Sequence, residues 1–327
     1  MSALSPEFSL IDRYFTRPAR SATLGVGDDS ALLRPTPGME LAVTSDLLVS
    51  GTHFLPDTHP ERLGWKTLAV NLSDLAAMGA KPRWVTLALS LPAVDEVWLA
   101  AFAQGFFACA DAFGVELVGG DTTRGALTLC VTALGEVPRG EALRRDGARA
   151  GDDVWISGTV GLAALGLRHL LGHPGLPASL AQRCVAHLEC PQPRVELGLA
   201  LRGIATAALD ISDGLLADLG HLARRSGLAA RLERDSLPVL SAEVAGDLAE
   251  AALNAFLSGG DDYELCFSAP AERRADVAQI AAHLDLPLWR IGAMQTGVPG
   301  SVAVTTREGL PLPLPTQAGY DHFCACA

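Results

Sequence analysis

Short acidic clusters beside glycine or serine recur along the whole chain and constrain its fold more than any other feature. Most of these carboxylates end or interrupt apolar segments, where a lone charge is costly to bury. If the fold brings them together, cations must offset their repulsion, and clustered carboxylate oxygens favour Mg²⁺ or Ca²⁺ over Zn²⁺. The pattern therefore predicts an enzyme that binds several Mg²⁺ ions and the phosphates they carry. The nine aspartates concerned are Asp28, Asp29, Asp46, Asp74, Asp121, Asp210, Asp213, Asp261 and Asp262.

The composition is that of an acidic globular protein. The 327 residues are 49% hydrophobic, and 25 Lys and Arg against 37 Asp and Glu give a formal net charge of −12. This charge disfavours nucleic acid and anionic membranes as partners. The N-terminal sequence has no signal-peptide pattern, and no apolar segment reaches the roughly 18 residues of a membrane helix, so we expect a cytoplasmic location. The seven cysteines form no CxxC pair, and we expect no function for Cys324 or Cys326.

Alternating strand and helix patterns predict two α+β domains, residues 1–140 and 141–327. In the first, the patterns predict helices near 60–78 and 95–113 and strands at 40–44, 84–91, 115–118 and 127–134. A polar, basic segment at 138–151 marks the boundary. The second domain mixes helices with strands at VWIS, AALDI, ARLE, YELCF, LWRIG and VAVTT. Because acidic clusters occur in both domains, we expect them to meet in a cleft between domains or between subunits.

The common nucleotide-binding motifs are absent from the sequence. There is no GxxxxGK[ST] motif, and Gly25 and Gly27 lack the third glycine of a dinucleotide-binding fingerprint. The HRD and DFG motifs of protein kinases and a nucleophile elbow are also missing. An enzyme of this sequence that handles phosphate must therefore hold its nucleotide through metal ions and glycine-rich backbone.

Several clusters have a structural interpretation as well as a functional one. Asp74 lies one turn after Asn71 in an apolar helix, so both can face one polar pocket, although an exposed aspartate is the simple alternative. Asp121 follows a predicted Gly-Gly turn that could admit a phosphate or be an ordinary β-turn. Asp213 and Ser212 could cap the helix after them, a role compatible with phosphate binding.

The remaining candidates are equally ambiguous when taken one at a time. Asp28–Asp29 and Asp261–Asp262 could each be a turn pair. His53 is either a structural histidine or a contact to a substrate phosphate. Arg145 is either an exposed linker arginine or a group that stabilises phosphate charge. Their joint occurrence is what favours a phosphate site.

Together these motifs resemble the thiamine-monophosphate kinase family, which shares a superfamily with aminoimidazole-ribonucleotide synthetase and selenophosphate synthetase. The matching segments run in order from Glu7 to Phe323 and include GVGDDSALL, TSDLLVSGTHFLP, NLSDLAAMGAKP, VGGDTTRG, LDISDGLLADLGH, SGGDDYELCF and GYDHF. The resemblance implies transfer of a phosphoryl group from ATP to thiamine phosphate, dependent on Mg²⁺. It also implies a homodimer, with ferredoxin-like N-terminal domains whose sheets pair into a barrel, and a sandwich-like C-terminal α/β domain.

By position, the resemblance assigns a role to each candidate residue. His53 and Asp261 correspond to contacts with the thiamine substrate. The family often has glutamate at position 261 and an aromatic residue where this chain has Gln317, so another aromatic side chain would have to stack on the thiamine rings. The positions of magnesium ligands are Asp29, Asp46, Asp74, Asp121, Asp210 and Asp213. The positions of ATP contacts are Thr44, Ser45, Gly120, Asp121, Arg145 and Ser212.

We assign no general base, because the attacking phosphate oxygen has a second pKa near 6 and is largely deprotonated at neutral pH. Within the superfamily, the alternative is a synthetase that acts on a purine precursor or on selenide. A selenide enzyme would carry a reactive cysteine near its N-terminus, and none precedes Cys109. A non-enzymatic cation-binding module is a further alternative, and it would bind Ca²⁺ without dependence on nucleotide.

The metal-site assignment predicts that Asp74→Asn and Asp121→Asn each abolish turnover while the protein still folds. Each change keeps the shape of the side chain and removes the charge that would bind Mg²⁺. Steady-state kinetics and circular dichroism measure the two effects. Near-normal activity in both variants would contradict the assignment.

Overall fold

The computed structural model describes residues 6–173, 175–239, 244 and 247–323, so Cys324 and Cys326 lie outside the described residues. The chain forms two compact units. The first runs to Leu75 and continues from Ala80 to Gly140, and the second comprises Ala76–Gly79 and the chain from Glu141 onward. Among the described residues, none of the helices is both long and apolar enough to cross a lipid bilayer.

The first unit is built on a four-stranded mixed sheet with the strand order β1-β4-β2-β3. Strands β1 and β2 pair antiparallel with β4, and β3 pairs parallel with β2. The elements of this part of the chain are α1 (Pro6–Tyr14), β1 (Met39–Val49), α2 (Pro60–Ala77), β2 (Lys81–Leu91), α3 (Glu96–Phe113), β3 (Glu116–Arg124) and β4 (Thr128–Pro138). The predicted helices and strands are therefore present, and all four strands are longer than predicted.

Helix α3 has clear start and stop signals. The Asp95 carboxylate accepts hydrogen bonds from the backbone N–H groups of Val97 and Trp98, which caps the first turn. Gly114 ends the helix in the left-handed conformation, with φ 64°. Phe102 and Phe106 are fully buried on one side of the helix. These caps and this apolar face explain why the sequence predicted the helix well.

Glycine brings α2 and α3 into close contact. A Cβ atom added at Gly64 would lie 2.1 Å from the carbonyl oxygen of Phe102, and one added at Gly105 would lie 1.7 Å from that of Glu61. Neither position has room for a side chain. The two helix backbones therefore pack against each other at these glycines.

The predicted Gly-Gly turn before Asp121 is wrong, because β3 continues through both glycines to Arg124. A Cβ atom at Gly120 would lie 1.9 Å from the carbonyl oxygen of Leu87 on the neighbouring strand. The glycine is therefore needed for the close approach of two parallel strands, and it does not reverse the chain. Asp121 consequently lies on an extended strand, paired in register with Ala88.

The second unit contains a six-stranded mixed sheet in the order β10-β7-β9-β5-β8-β6. Its pairs are antiparallel except for β10 with β7. Strands β6 and β8 are buried at every residue. The elements are β5 (Asp153–Ser157), α4 (Leu162–Leu170), α5 (Ala178–Glu189), α6 (Val195–Ala200), β6 (Ala207–Ile211), α7 (Leu215–Arg225), β7 (Ala229–Glu233), α8 (Asp247–Ser258), β8 (Glu264–Ala269), α9 (Arg274–Leu284), β9 (Leu288–Gln295) and β10 (Val302–Thr305).

An apolar core joins this sheet to α7 and α8. Leu209 and Cys266 come from adjacent strands, and Leu219 and Phe256 come from the two helices, all in one buried cluster. The strand ends on which Asp210 and Glu264 lie are thereby fixed by the core. The two units together establish the α+β class, whereas the barrel formed by paired sheets stays a prediction.

We predict that Gly105→Ala lowers the melting temperature, although helix propensity alone would favour alanine by about 1 kcal/mol. The added methyl group collides with the Glu61 carbonyl, and overpacking of this kind costs about 1–3 kcal/mol. Ala108→Ser, at an exposed position of the same helix, should stay close to wild type. A Gly105→Ala variant more stable than wild type would show that the two helices can separate freely.

Candidate functional site

In the first unit, two of the sequence-predicted segments line one cavity of about 710 Å³. Asp28 and Asp29 contribute from the GVGDDSALL loop, and Gly120 and Asp121 contribute from β3. The backbone N–H of Asp29 donates to the Asp28 carboxylate at 2.8 Å, so the two residues are linked by a local hydrogen bond. The structure thus brings Asp29, Gly120 and Asp121 to the same cavity, with exposed carboxylates that remain available to a ligand.

A second polar cluster lies where α2 packs on β1. The Thr44 hydroxyl donates a hydrogen bond to the Asp74 carboxylate. The Asn71 side-chain oxygen accepts the backbone N–H of Asp46 at 3.0 Å. Asn71 and Asp74 therefore contact the same strand, as their one-turn spacing predicted, and Asp74 is half-buried rather than exposed.

The carboxylates of Asp46 and Asp74 are close enough to repel each other. Burial of Asp46, and secondly the charge of Asp74, raise the pKa of Asp46 to about 7. Proximity of two carboxylates in a partly buried site is the condition in which a divalent cation binds favourably. This pair has the donor chemistry that the predicted magnesium ligands require.

Ser45 and His53 each form a side-chain hydrogen bond with a backbone group. Ser45 faces the other side of β1, where its hydroxyl donates to the backbone oxygen of Val131 at 3.1 Å. The Nδ1 atom of His53 accepts the backbone N–H of Val49 at 3.0 Å. Since Nδ1 is an acceptor, a neutral His53 carries its proton on Nε2. The ring therefore has a structural role in the turn after β1 and keeps an N–H donor on its other nitrogen.

In the second unit, three of the predicted residues lie in β6 or in the turn between β6 and α7. Asp210 is buried near the end of β6, and Ser212 and Asp213 are half-buried in the turn. Neither Ser212 nor Asp213 caps α7, so the capping interpretation is wrong. The N-cap position is Gly214, at which there is no side-chain hydrogen bond.

Asp218, which is not among the residues predicted from the sequence, fixes the conformation of this turn. One oxygen of its carboxylate accepts the backbone N–H groups of Ser212, Asp213 and Gly214 at 3.1, 3.0 and 3.0 Å. Burial, and secondly the charge of Asp213, raise the pKa of Asp218 to about 7. The only signal in the sequence is an aspartate in an apolar helical turn, SDGLLAD.

Charged groups from several segments of the second unit converge on Asp213. Burial raises the pKa of Asp213, and the nearby charges of His322, His221 and Arg145 partly counteract this effect. The negative charge of Asp261 acts in the same direction as burial. The structure thus brings Asp213, Asp261 and the otherwise exposed Arg145 into one electrostatic environment.

Asp261 lies in a closely packed loop beside this turn. Its backbone N–H donates to the carbonyl oxygen of Ser212 at 2.8 Å. The hydroxyl of Tyr263 donates to its carboxylate at 3.0 Å. At the C-terminal end of the described chain, the backbone N–H of Tyr320 donates to the Asp213 carbonyl at 2.9 Å. The ring of Tyr263 thus lies beside Asp261, and the backbone of Tyr320 lies beside Asp213.

Within each unit, the described acidic residues of the candidate site meet in pairs. Throughout the described part of the chain, no three His, Cys, Asp or Glu side chains converge closely enough to form a metal site. Mg²⁺ commonly takes only one or two carboxylates and completes its octahedron with phosphate oxygens and water. Paired carboxylates are therefore compatible with magnesium that arrives with a nucleotide.

Comparisons with known proteins show the family of this chain. Residues 27–137 match the family described as AIR synthase related protein, N-terminal domain, and residues 149–304 match its C-terminal domain. Thiamine-monophosphate kinase of Salmonella typhimurium is 46% identical over 97% of this chain and 98% of its own length. The chain belongs to the thiamine-monophosphate kinase family.

Solved structures of the thiamine-monophosphate kinase family have the same fold. The enzyme from Stenotrophomonas maltophilia K279a is 51% identical, with a TM-score of 0.84 over 94% of this chain and 98% of that one. AaThiL in complex with AMPPCP and TMP is 30% identical, with a TM-score of 0.75 over 89% of both chains. Both similarities span the two units described above.

The raised pKa of Asp46 predicts a pH-dependent stability in the metal-free protein. The folded state holds a proton up to about pH 7, whereas the unfolded chain releases it near pH 4, so stability falls as the pH rises between these values. Asp46→Asn should reduce the fall in melting temperature between about pH 5 and 8. Mg²⁺ at pH 8 should stabilise the wild type more than this variant. Equal pH slopes and equal Mg²⁺ effects would contradict the cation site.

Proposed function

We propose that the protein transfers a phosphoryl group from ATP to thiamine phosphate, giving thiamine diphosphate and ADP, and that the reaction requires Mg²⁺. The observation that carries this proposal is the 46% identity to a thiamine-monophosphate kinase over 97% of the chain. A family member bound to AMPPCP and TMP supports ATP and thiamine phosphate as the two substrates. The paired carboxylates supply the donor chemistry that such substrates need.

Magnesium would be held by the acidic pairs together with phosphate oxygens. When bound, it would neutralise phosphate charge and polarise the transferred group. The half-buried Asp46 and Asp74, which repel each other, provide the strongest carboxylate pair for a cation. The other proposed magnesium ligands are Asp29, Asp121, Asp210 and Asp213.

The chain would bind ATP mainly through hydroxyl groups, exposed backbone and one arginine. Gly120 leaves its backbone open beside Asp121 at the 710 Å³ cavity. Arg145 is exposed, and its positive charge is close enough to Asp213 to counteract part of the rise that burial causes in the pKa of that carboxyl. Arg145 can therefore pair with a phosphate near Asp213. Thr44, Ser45 and Ser212 complete the proposed set of ATP contacts.

Thiamine phosphate, the acceptor, carries a cationic ring and an anionic phosphate, and a different residue would contact each. Asp261, oriented by the Tyr263 hydroxyl, suits the cationic thiazolium ring of thiamine. His53 would donate its Nε2–H to the acceptor phosphate, because Nδ1 is already occupied. No general base is required, since the attacking phosphate oxygen is already ionised at neutral pH. Catalysis then consists of aligning two polyanions and excluding bulk water around them.

We also propose that the protein acts as a homodimer whose first units pair their sheets into a barrel. Strand β1 lies at the edge of its sheet. Three apolar side chains along it are unusually exposed: Leu41 at 40%, Val43 at 62% and Leu47 at 53%. An apolar edge strand of this length normally needs a covering partner. In this proposal residues 1–140 bind ATP and Mg²⁺ and form the dimer, and residues 141–327 complete the active site.

The decisive assay incubates the purified protein with ATP, Mg²⁺ and thiamine phosphate and separates the products by chromatography. We expect thiamine diphosphate and ADP in equal amounts, and neither product when EDTA removes the metal. Formation of ADP without thiamine diphosphate would indicate another acceptor of the superfamily. Binding of Ca²⁺ without any nucleotide-dependent turnover would indicate a cation-binding module.

A further inference from the structure

Within the SGGDDYEL segment of the second unit, residues 261–264 alternate between half-buried and buried side chains. Asp261 and Tyr263 are half-buried and hydrogen-bonded to each other. Asp262 and Glu264 point the other way, and each is only 1% exposed. Only the first pair takes part in the proposed site, so the buried pair must have another role. A buried aspartate is costly unless hydrogen bonds compensate for its desolvation.

Two backbone N–H groups at the start of helix α4 donate hydrogen bonds to Asp262. Its carboxylate accepts the backbone N–H of Gly161 at 2.6 Å and that of Ala163 at 3.1 Å. Gly161 is the N-cap residue of α4 and has no side chain with which to cap it. A carboxylate at a helix N-terminus is also favoured by the helix dipole. The aspartate therefore caps α4 across about a hundred residues of sequence and links the loop to that helix.

The loop needs such an anchor because its backbone is strained. Asp261 and Tyr263 have φ values of 69° and 54°, in the left-handed region that disfavours residues with side chains. Conformations of this kind persist only when the surroundings hold them in place. Asp262 is the residue between the two strained positions, and its contacts with α4 act on both.

Close packing on both sides removes the room for the loop to relax. A Cβ atom at Gly260 would lie 2.4 Å from the Ser212 carbonyl oxygen, and one at Gly259 would lie 2.5 Å from the Cβ atom of Ala164 in α4. The backbone N–H of Tyr263 also donates to the Ile211 carbonyl at 2.9 Å. The loop is thus held between the β6–α7 turn and the start of α4.

We propose that Asp262 is a positioning residue for the acceptor substrate, acting by fixing the backbone that orients Asp261 and Tyr263. This inference rests on the proposed function. Asp262 itself is too deeply buried to contact substrate. Its effect is transmitted through the α4 cap to the two residues beside it, and it concerns thiamine phosphate and not ATP.

The test is Asp262→Asn, which keeps the shape of the side chain but replaces one acceptor oxygen with an NH₂ group. We expect the KM for thiamine phosphate to rise about ten-fold, with the KM for ATP within about two-fold of wild type. Asp153→Asn is the matched control, since Asp153 is equally buried in the same unit and pairs with Arg274 outside the site. Asp153→Asn should lower the melting temperature, and it should not raise the KM for thiamine phosphate relative to the KM for ATP.

The outcomes separate this inference from the proposed function. Loss of stability in Asp262→Asn with both KM values unchanged would overturn the positioning role alone. A wild-type protein that forms no thiamine diphosphate would overturn the proposed function and this inference with it.

A measurement on the wild type covers the case in which Asp262→Asn does not fold. Hydrogen exchange is followed on peptides containing residues 158–164 and 259–264, with thiamine phosphate added and ATP omitted. We expect slower exchange in both segments, since the carboxylate of Asp262 couples them. Protection confined to 259–264 would contradict the coupling.

Discussion

Buried carboxylates that accept backbone N–H groups determine the geometry of the second unit. Asp218 accepts three such groups from the β6–α7 turn, and Asp262 accepts two from the start of α4. Buried backbone donors must have acceptors, so each aspartate fixes its turn in one conformation. Because the turns are fixed, Asp213 and Asp261 are presented together. Asp218 and Asp262 are thus structural acceptors, and they fix the backbone beside Asp213 and Asp261, the two residues proposed to bind ligands.

In the first unit, the main interaction between carboxylates is the repulsion of two neighbouring side chains. Asp46 and Asp74 lie near each other on β1 and α2, where burial and the charge of Asp74 make the ionised form of Asp46 unfavourable. Thr44 and Asn71 orient this cluster but add no positive charge. Carboxyl groups with a raised pKa are common at functional sites, where a bound ligand can offset the repulsion between their charges. A cation carried by nucleotide phosphates would do so here, which links the electrostatics of the fold to phosphoryl transfer.

The sequence predicted the elements of the fold better than the contacts between them. Helix α3 was predictable because its Asp95 cap and Gly114 stop are local signals. The Gly-Gly turn predicted before Asp121 is absent, because Gly120 is needed for close approach to a neighbouring strand that no local pattern reveals. Asp218 and Asp262 were not recognisable as anchors for a related reason. Their roles depend on which backbone N–H groups the folded structure leaves without a backbone acceptor. The donors to Asp262 lie about a hundred residues away, whereas those to Asp218 lie within six residues of it.

The central claim is that the acidic pairs bind divalent cations together with the phosphates of both substrates. Anomalous diffraction at the manganese edge tests it most directly, with crystals grown with Mn²⁺, a non-hydrolysable ATP analogue and thiamine phosphate. We predict manganese peaks bridging phosphate oxygens and the carboxylates of Asp46, Asp74 and Asp121. Peaks located away from these carboxylates, or both ligands bound in full without any metal, would contradict the account.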